Sequence, residues 1–320
     1  MQPRLLLGID GGGSKTAAWV SSIDSLGECC LLGQGLGGPA NFRAAGRERA
    51  LESLDEAVDA AFQTVDLKEL AESDPPLQID TAVMALAGSA LPDVQAQVLD
   101  WARERSLAAH LHIAHDAEPV LSAGTPDNWG IALIAGTGSA AIGRDQAGQS
   151  VTVGGWGYWF GDQGSGFSLG QMALAAAAKA ADGLGPATAL QSLLLKRLQI
   201  EQPRKLLSVL IEAGDVRRQI ARLAPLVMEA AEQADPVAQS IVKQGVSELA
   251  TLVQGATGQL GWSDTFPLAL AGGVVCGSPY FRHQLEQQLA SIGLHPDPIT
   301  PVDTPVAGCV KIAAAMVLDR

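Results

Sequence analysis

The sequence predicts an α/β fold built from two similar domains. A strand–glycine turn–strand hairpin occurs twice, as LLGIDGGGSKTAAWV from residue 6 and as IALIAGTGSAAIGRD from residue 131. Each copy opens a stretch in which helical and buried-strand patterns follow one another, which marks a duplicated unit. The length of 320 residues and a hydrophobic content of 47% supply apolar material for two cores, and two suit this length better than one.

In the first half, the apolar run 5–10 reads as a buried strand, 11–13 as a glycine turn and 16–21 as the returning strand. Gly27 and the glycine-rich stretch 33–39 read as turns around a third strand. Apolar residues at helical spacing (Ala50, Leu54, Ala57, Val58, Ala61, Phe62) predict a helix over 46–64. A buried strand at 79–87, a helix at 92–105 and a short strand at 111–114 complete this layer. The pattern restarts with strands at 129–135, 139–144 and 151–153. A helical tract over 171–260 follows, broken near 183–186, 203, 214 and 235–236. The strand 266–270 runs into Ala271-Gly272-Gly273, and helices are expected at 280–292 and 304–318.

The formal charge is −13, from 21 Lys and Arg against 34 Asp and Glu. Such a balance disfavours nucleic acid and anionic membranes as partners, because the phosphate term that drives such binding is repulsive. Backbone N–H groups and Mg²⁺ can still carry a phosphate site. The four cysteines (Cys29, Cys30, Cys276, Cys309) match no zinc or disulfide spacing. Residues 1–7 carry no basic segment followed by a long apolar run, so a cytoplasmic protein is expected. His110, His112 and His115 alternate along a strand without a carboxylate partner and read as structural, and His283 and His295 as surface residues.

Asp10-Gly11-Gly12-Gly13-Ser14-Lys15-Thr16 has the chemistry of an anion turn. Three glycines let backbone N–H groups approach an anion closely. Ser14 and Thr16 add hydroxyls, and Asp10 at the strand end suits Mg²⁺ held through water. Lys15 points either to phosphate or to solvent. Gly136-Thr137-Gly138-Ser139 repeats the turn without the acid. Neither matches the P-loop or dinucleotide fingerprint, because the glycines sit within hairpins.

Two such hairpins resemble the ribonuclease H-like domains of the actin/hexokinase-like superfamily, which face one another around a nucleotide cleft. Within it the chain is similar to the N-acetylglucosamine and glucosamine kinase branch of the BadF/BadG/BcrA/BcrD-type ATPases. The resemblance implies phosphate contacts from residues 11–16 and 136–139, with Thr137 touching ATP, and an adenosine loop at Gly272-Gly273. It implies sugar contacts from Asn41, Asp116, Gly155, Trp156, Gly157 and Asp162. Asp116 is then the general base, although a lone Asp after a strand reads first as an N-cap, and Trp156 alone reads nearly as well as a core residue. The implied division is a sugar and phosphate domain over 1–116, completed by 304–320, and a nucleotide domain over 117–303. The implied activity is phosphorylation of an amino sugar 6-hydroxyl by Mg·ATP, with N-acetylglucosamine or glucosamine as acceptor, in a chain for which a homodimer is plausible. Activator ATPases of the same group hold an iron–sulfur cluster through thiolates from the chain interior; here no cysteine lies between Cys30 and Cys276.

Overall fold

The computed structural model describes residues 4–65, 78–89, 91–115, 117–262 and 265–320, with residues 43 and 44 as backbone only. The chain divides into two compact units, Met1–Gly124 with Thr304–Arg320, and Thr125–Asp303.

In the first unit β1 (Arg4–Gly11), β2 (Thr16–Ile23) and β3 (Cys29–Gly37) form an antiparallel meander. Two strands, β4 (Ile79–Leu86) and β5 (His110–Ala114), extend it in parallel, giving the order β3-β2-β1-β4-β5. The helices are α1 (Phe42–Ala45), α2 (Arg47–Gln63), α3 (Pro92–Glu104) and α4 (Glu118–Gly124). Strand β1 alternates: Leu5, Leu7 and Ile9 enter a core with Leu54, Val58 and Ala61 of α2, whereas Leu6 enters a separate core on the other face.

The stretch 33–39, expected to be a turn, is largely strand. Gly33, Gly35 and Gly37 alternate along β3 and face the ridge Ala61, Ala57 and Ser53 of α2. A Cβ at Gly35 would stand 2.1 Å from the Ala57 carbonyl oxygen, and one at Gly37 would stand 2.1 Å from that of Ser53. Helix backbone therefore lies directly on strand backbone. The glycine spacing of two that resembles turn chemistry is the period of one strand face.

In the second unit β6 (Gly130–Ala135), β7 (Ser139–Arg144) and β8 (Ser150–Gly154) form another antiparallel meander. A helical layer follows: α5 (Gly166–Ala181), α6 (Ala189–Leu198), α7 (Leu206–Glu212), α8 (Val216–Ala221), α9 (Ala224–Glu232) and α10 (Pro236–Leu260). Then β9 (Leu268–Ala271), α11 (Pro279–Ser291) and β10 (Ile299–Val302) complete the unit, with both strands parallel to β6. Read from β8, the order is β8-β7-β6-β9-β10, the same pairings in the same senses as the first unit. The duplication seen in the hairpins extends to whole sheets.

Breaks in the helical tract fall where glycine and proline punctuate it, with a further one at 222–223 before Pro225. The tract begins earlier than expected, at Gly166, where the Ser165 hydroxyl accepts the Ser168 N–H as N-cap. Strand β10, not anticipated, contains Pro301 and follows Pro298; it lies at a sheet edge, where proline removes no ladder bond.

The chain then returns to the first unit as α12 (Val306–Leu318). This helix crosses β1 at Gly8, where a Cβ would meet Cys309 Cβ and the Val306 carbonyl oxygen at 3.0 Å. The Cys309 thiol donates to Ile9 O at 3.3 Å, and burial, aided by the negative charge of Asp10, pushes its pKa well above the ordinary value. It is an inert packing group. Among the described residues no helix is long and apolar enough to cross a membrane.

Asp235 joins two helix starts. It accepts the Ala238 N–H at the head of α10 (2.9 Å), and also the Ala189 N–H (2.7 Å) and Thr188 hydroxyl (3.0 Å) at the head of α6. Partial burial pushes its carboxyl pKa up, but the hydrogen bonds together outweigh burial and hold it below the ordinary value.

Gly35→Val forces α2 off β3, and overpacking against backbone is expected to lower stability by about 2–3 kcal/mol or more in urea titration. Asp235→Ala removes the α10 cap and the two bonds to the head of α6, at a cost of about 1–3 kcal/mol at pH 7. Because the folded carboxyl titrates below the unfolded one, this stabilisation is whole above the unfolded pKa of about 3.9 and is lost as pH falls through the lower folded value. The Tm gap between wild type and variant should therefore close on acidification.

Candidate functional site

In the first unit β1 and β4 end side by side, with Asp10 opposite Ala85 and Gly11 opposite Leu86. Asp10 is half-buried at this carboxyl edge, and the Gly12 N–H donates to Lys15 O at 2.9 Å to close the turn beyond it. Gly13, Ser14 and Lys15 are exposed, and nothing lies within 4 Å of where a Cβ of Gly13 would stand. Thr16 turns inward: it is fully buried and its hydroxyl donates to Gly38 O at 2.8 Å. Its hydroxyl is thus spent on protein rather than offered to an anion, because position 16 falls on the core face of β2. The Ala40 N–H adds a bond to Gly12 O at 3.1 Å. These two bonds bring the 38–41 segment, and so Asn41, beside the first glycine turn. Asp116, expected as the general base, lies outside the described residues.

In the second unit the two expected nucleotide loops meet. Strands β6 and β9 are parallel neighbours, with Ile134 opposite Ala271, so the turn after β6 and the loop after β9 leave the same carboxyl edge. Carboxyl edges of parallel strands are where α/β sheets bind ligands. The Val274 N–H donates to Ala135 O at 2.9 Å. Gly272 has φ +97°, and a Cβ there would stand 2.5 Å from Ala135 C and O and 2.7 Å from Gly136 N. Only glycine allows both the backbone angle and the approach.

The 136–139 turn is wired at its back. The Gly136 N–H donates to Gly138 O at 2.9 Å, while Gly136 O and Thr137 O accept from Gly166 N–H (2.8 Å) and Phe167 N–H (3.4 Å) at the head of α5. The carbonyls of the turn are therefore drawn toward α5. Among the described residues the N–H groups of Thr137 and Gly138 have no protein acceptor, and both residues are half-exposed. Two adjacent unshared N–H groups, with carbonyls tied back, are the donors an anion site is built from.

Ser139 is buried, its N–H donating to Asp162 Oδ1 (3.1 Å) and its hydroxyl to Gln163 O (2.6 Å). It holds the turn from behind, since the strand alternation of β7 directs it inward. The Gly155 N–H donates to Ser139 O at 3.1 Å, which brings the 155–157 segment against the base of the turn. Trp156 is 78% exposed, which settles the alternative of a core tryptophan against it. Trp159 and Phe160 are exposed beside it, and Tyr158 packs on Trp159 and on Phe167.

Asp162 is 4% exposed with φ +62°. Besides Ser139, its Oδ2 accepts from Arg217 Nη2 at 2.8 Å. Arg217, on α8, was not singled out from the sequence: it stands 55 residues from Asp162 inside a helical tract, with no motif around it. Its place is prepared by Gly166 and Gly170 of α5, where Cβ atoms would stand 3.2 Å from Ala221 O and 2.1 Å from Ile220 O, so α8 lies directly on α5. Among the described residues no cluster of three or more His, Cys, Asp or Glu is placed to hold a metal ion.

The profile of the BadF/BadG/BcrA/BcrD ATPase family matches residues 7–310. The N-acetylmuramic acid/N-acetylglucosamine kinase of Clostridium acetobutylicum is 29% identical over 288 residues, covering 89% of this chain and 90% of that protein. The N-acetyl-D-glucosamine kinase of Dictyostelium discoideum is 30% identical over 282 residues, covering 85% and 86%. A solved Chromobacterium violaceum chain, provisionally named N-acetylglucosamine kinase, superposes with a TM-score of 0.72 at 24% identity, over 97% of this chain and 99% of its own. The duplicated α/β sheets are those of the actin/hexokinase-like fold, and the chain belongs to the BadF/BadG/BcrA/BcrD ATPase family.

Proposed function

We propose that this protein is an ATP-dependent hexosamine kinase that transfers the γ-phosphoryl group to the 6-hydroxyl of an amino sugar, N-acetylglucosamine first. The observation that carries the reading is the pair of glycine loops at one carboxyl edge, with the N–H groups of Thr137 and Gly138 unshared. The amino-sugar class is supported by the two relatives named above.

In this reading Gly136, Thr137 and Gly138 hold phosphate oxygens, Ser139 fixes their backbone, and Gly272 and Gly273 take the adenosine against bare backbone. Gly11, Gly12, Gly13, Ser14, Lys15 and Thr16 form the second phosphate support, with Thr16 acting through Gly38. The half-buried Asp10 carboxylate offers the hard oxygen donor that Mg²⁺ requires, a fit for an ion that takes few protein ligands and keeps phosphates and waters. Bound there, Mg²⁺ would neutralise phosphate charge. Asn41, Gly155, Trp156, Gly157 and Asp162 receive the sugar, and Asp116 accepts the proton of the 6-hydroxyl. The hydroxyl oxygen bonds to the γ-phosphorus as the bond to the ADP oxygen breaks, so positioning and charge stabilisation carry the rate. A cytoplasmic setting, where the four free cysteines stay reduced, belongs to this reading. So do the absence of nucleic-acid and membrane partners and the option of a homodimer.

The test is ATP consumption with N-acetylglucosamine, glucosamine, N-acetylmannosamine, N-acetylmuramic acid and glucose. N-acetylmuramic acid is included because the clostridial relative is named for it. The highest kcat/KM is expected with N-acetylglucosamine; turnover that no sugar stimulates overturns the reading. Asp116→Asn is expected to retain ATP binding while kcat falls about 100-fold or more. Gly272→Ala is expected to do the reverse at the nucleotide, weakening ATP binding roughly tenfold or more by pushing the loop off Ala135.

A further inference from the structure

The pair formed by Asp162 and Arg217 is packed onto the tip of the second glycine turn. A Cβ at Gly138 would stand 2.7 Å from Asp162 Oδ1 and 2.9 Å from Arg217 Nη2. A buried carboxylate thus lies in contact with the turn in which, among the described residues, the Thr137 and Gly138 N–H groups have no protein acceptor. On its own it would repel any polyphosphate drawn to those groups.

The surroundings of Arg217 are not those of a satisfied structural arginine. Of its N–H donors one reaches Asp162, its Cζ stands 5.3 Å from the centroid of the Tyr158 ring, and its buried Nε has no hydrogen-bond partner among the described residues. Leaving a buried N–H unpaired costs stability, and a partly buried ion pair returns little of it. The placement therefore calls for a reason beyond folding.

Resting on the kinase reading above, we infer that Arg217 is a positioning residue that offsets the charge of Asp162 and so lets the 136–138 turn accept phosphate. Asp162 is then free to serve two neighbours, bracing the Ser139 N–H and keeping a carboxylate near the acceptor segment at 155–157, without driving the nucleotide away. Tyr158 gives the guanidinium its second support through its ring face. Close contact of α8 with α5 at Gly166 and Gly170 delivers it to the turn.

The test is calorimetric binding of a non-hydrolysable ATP analogue, at one fixed ionic strength, to full-length wild type, R217M, D162N and the double variant, each checked for folding by circular dichroism. R217M is expected to bind at least about tenfold more weakly, because it leaves the carboxylate uncompensated. D162N is expected to bind at least as tightly as wild type. The double variant should recover most of the lost affinity, which a merely structural role for Arg217 does not predict. R217M binding like wild type, or a double variant no better than R217M, overturns the inference alone. If R217M does not fold, D162N decides, since weaker binding than wild type contradicts charge compensation. Wild type that binds no nucleotide overturns the kinase reading and this inference together.

Discussion

Contact between bare backbones at the ends of β6 and β9 is the constraint on which the second unit is organised. Gly272 lies so close to Ala135 and Gly136 that no side chain fits between them. That approach sets one loop against the other and leaves the Gly136 and Thr137 carbonyls to the head of α5. Among the described residues the Thr137 and Gly138 N–H groups are left without a protein acceptor. The phosphate site proposed for this turn is made of peptide dipoles and needs no basic surface, so the proposal is compatible with a net charge of −13.

The same device recurs throughout the molecule. Glycines of β3 admit the ridge of α2, Gly8 admits α12, and Gly170 admits α8. In each case a small residue gives up side-chain contacts and gains backbone proximity. In the second unit that proximity positions particular groups: α8 brings Arg217 to Asp162, and α5 carries the N–H groups that hold the turn. Scarcity of aromatic residues, 4% of the chain, fits an architecture packed this way.

Much of this was legible in the sequence, and what was not has physical causes. Both hairpins and both glycine loops were visible because Gly-rich turns between apolar runs have few alternative readings. The breaks in the helical tract were visible for the same reason, through Gly and Pro. The glycines of β3 misled because strand alternation and turn chemistry share the pattern G-x-G. The inward direction of Thr16 and Ser139 depends on which face of β2 and β7 meets the core, and residue type alone does not report it. Arg217 was hidden because its partner is 55 residues away and its placement depends on helix-to-helix contact. Asp162 was found by resemblance, yet its bonds to Ser139 and Arg217 became apparent only in three dimensions.

In the proposed kinase, the backbone of residues 136–138 receives the transferred end of ATP. The most direct measurement is a crystal structure with a non-hydrolysable ATP analogue and N-acetylglucosamine. Phosphate oxygens are expected within hydrogen-bond distance of the Thr137 and Gly138 N–H groups, and the purine on the Gly272-Gly273 backbone. Phosphates bound elsewhere, with those two N–H groups facing only solvent, would contradict it.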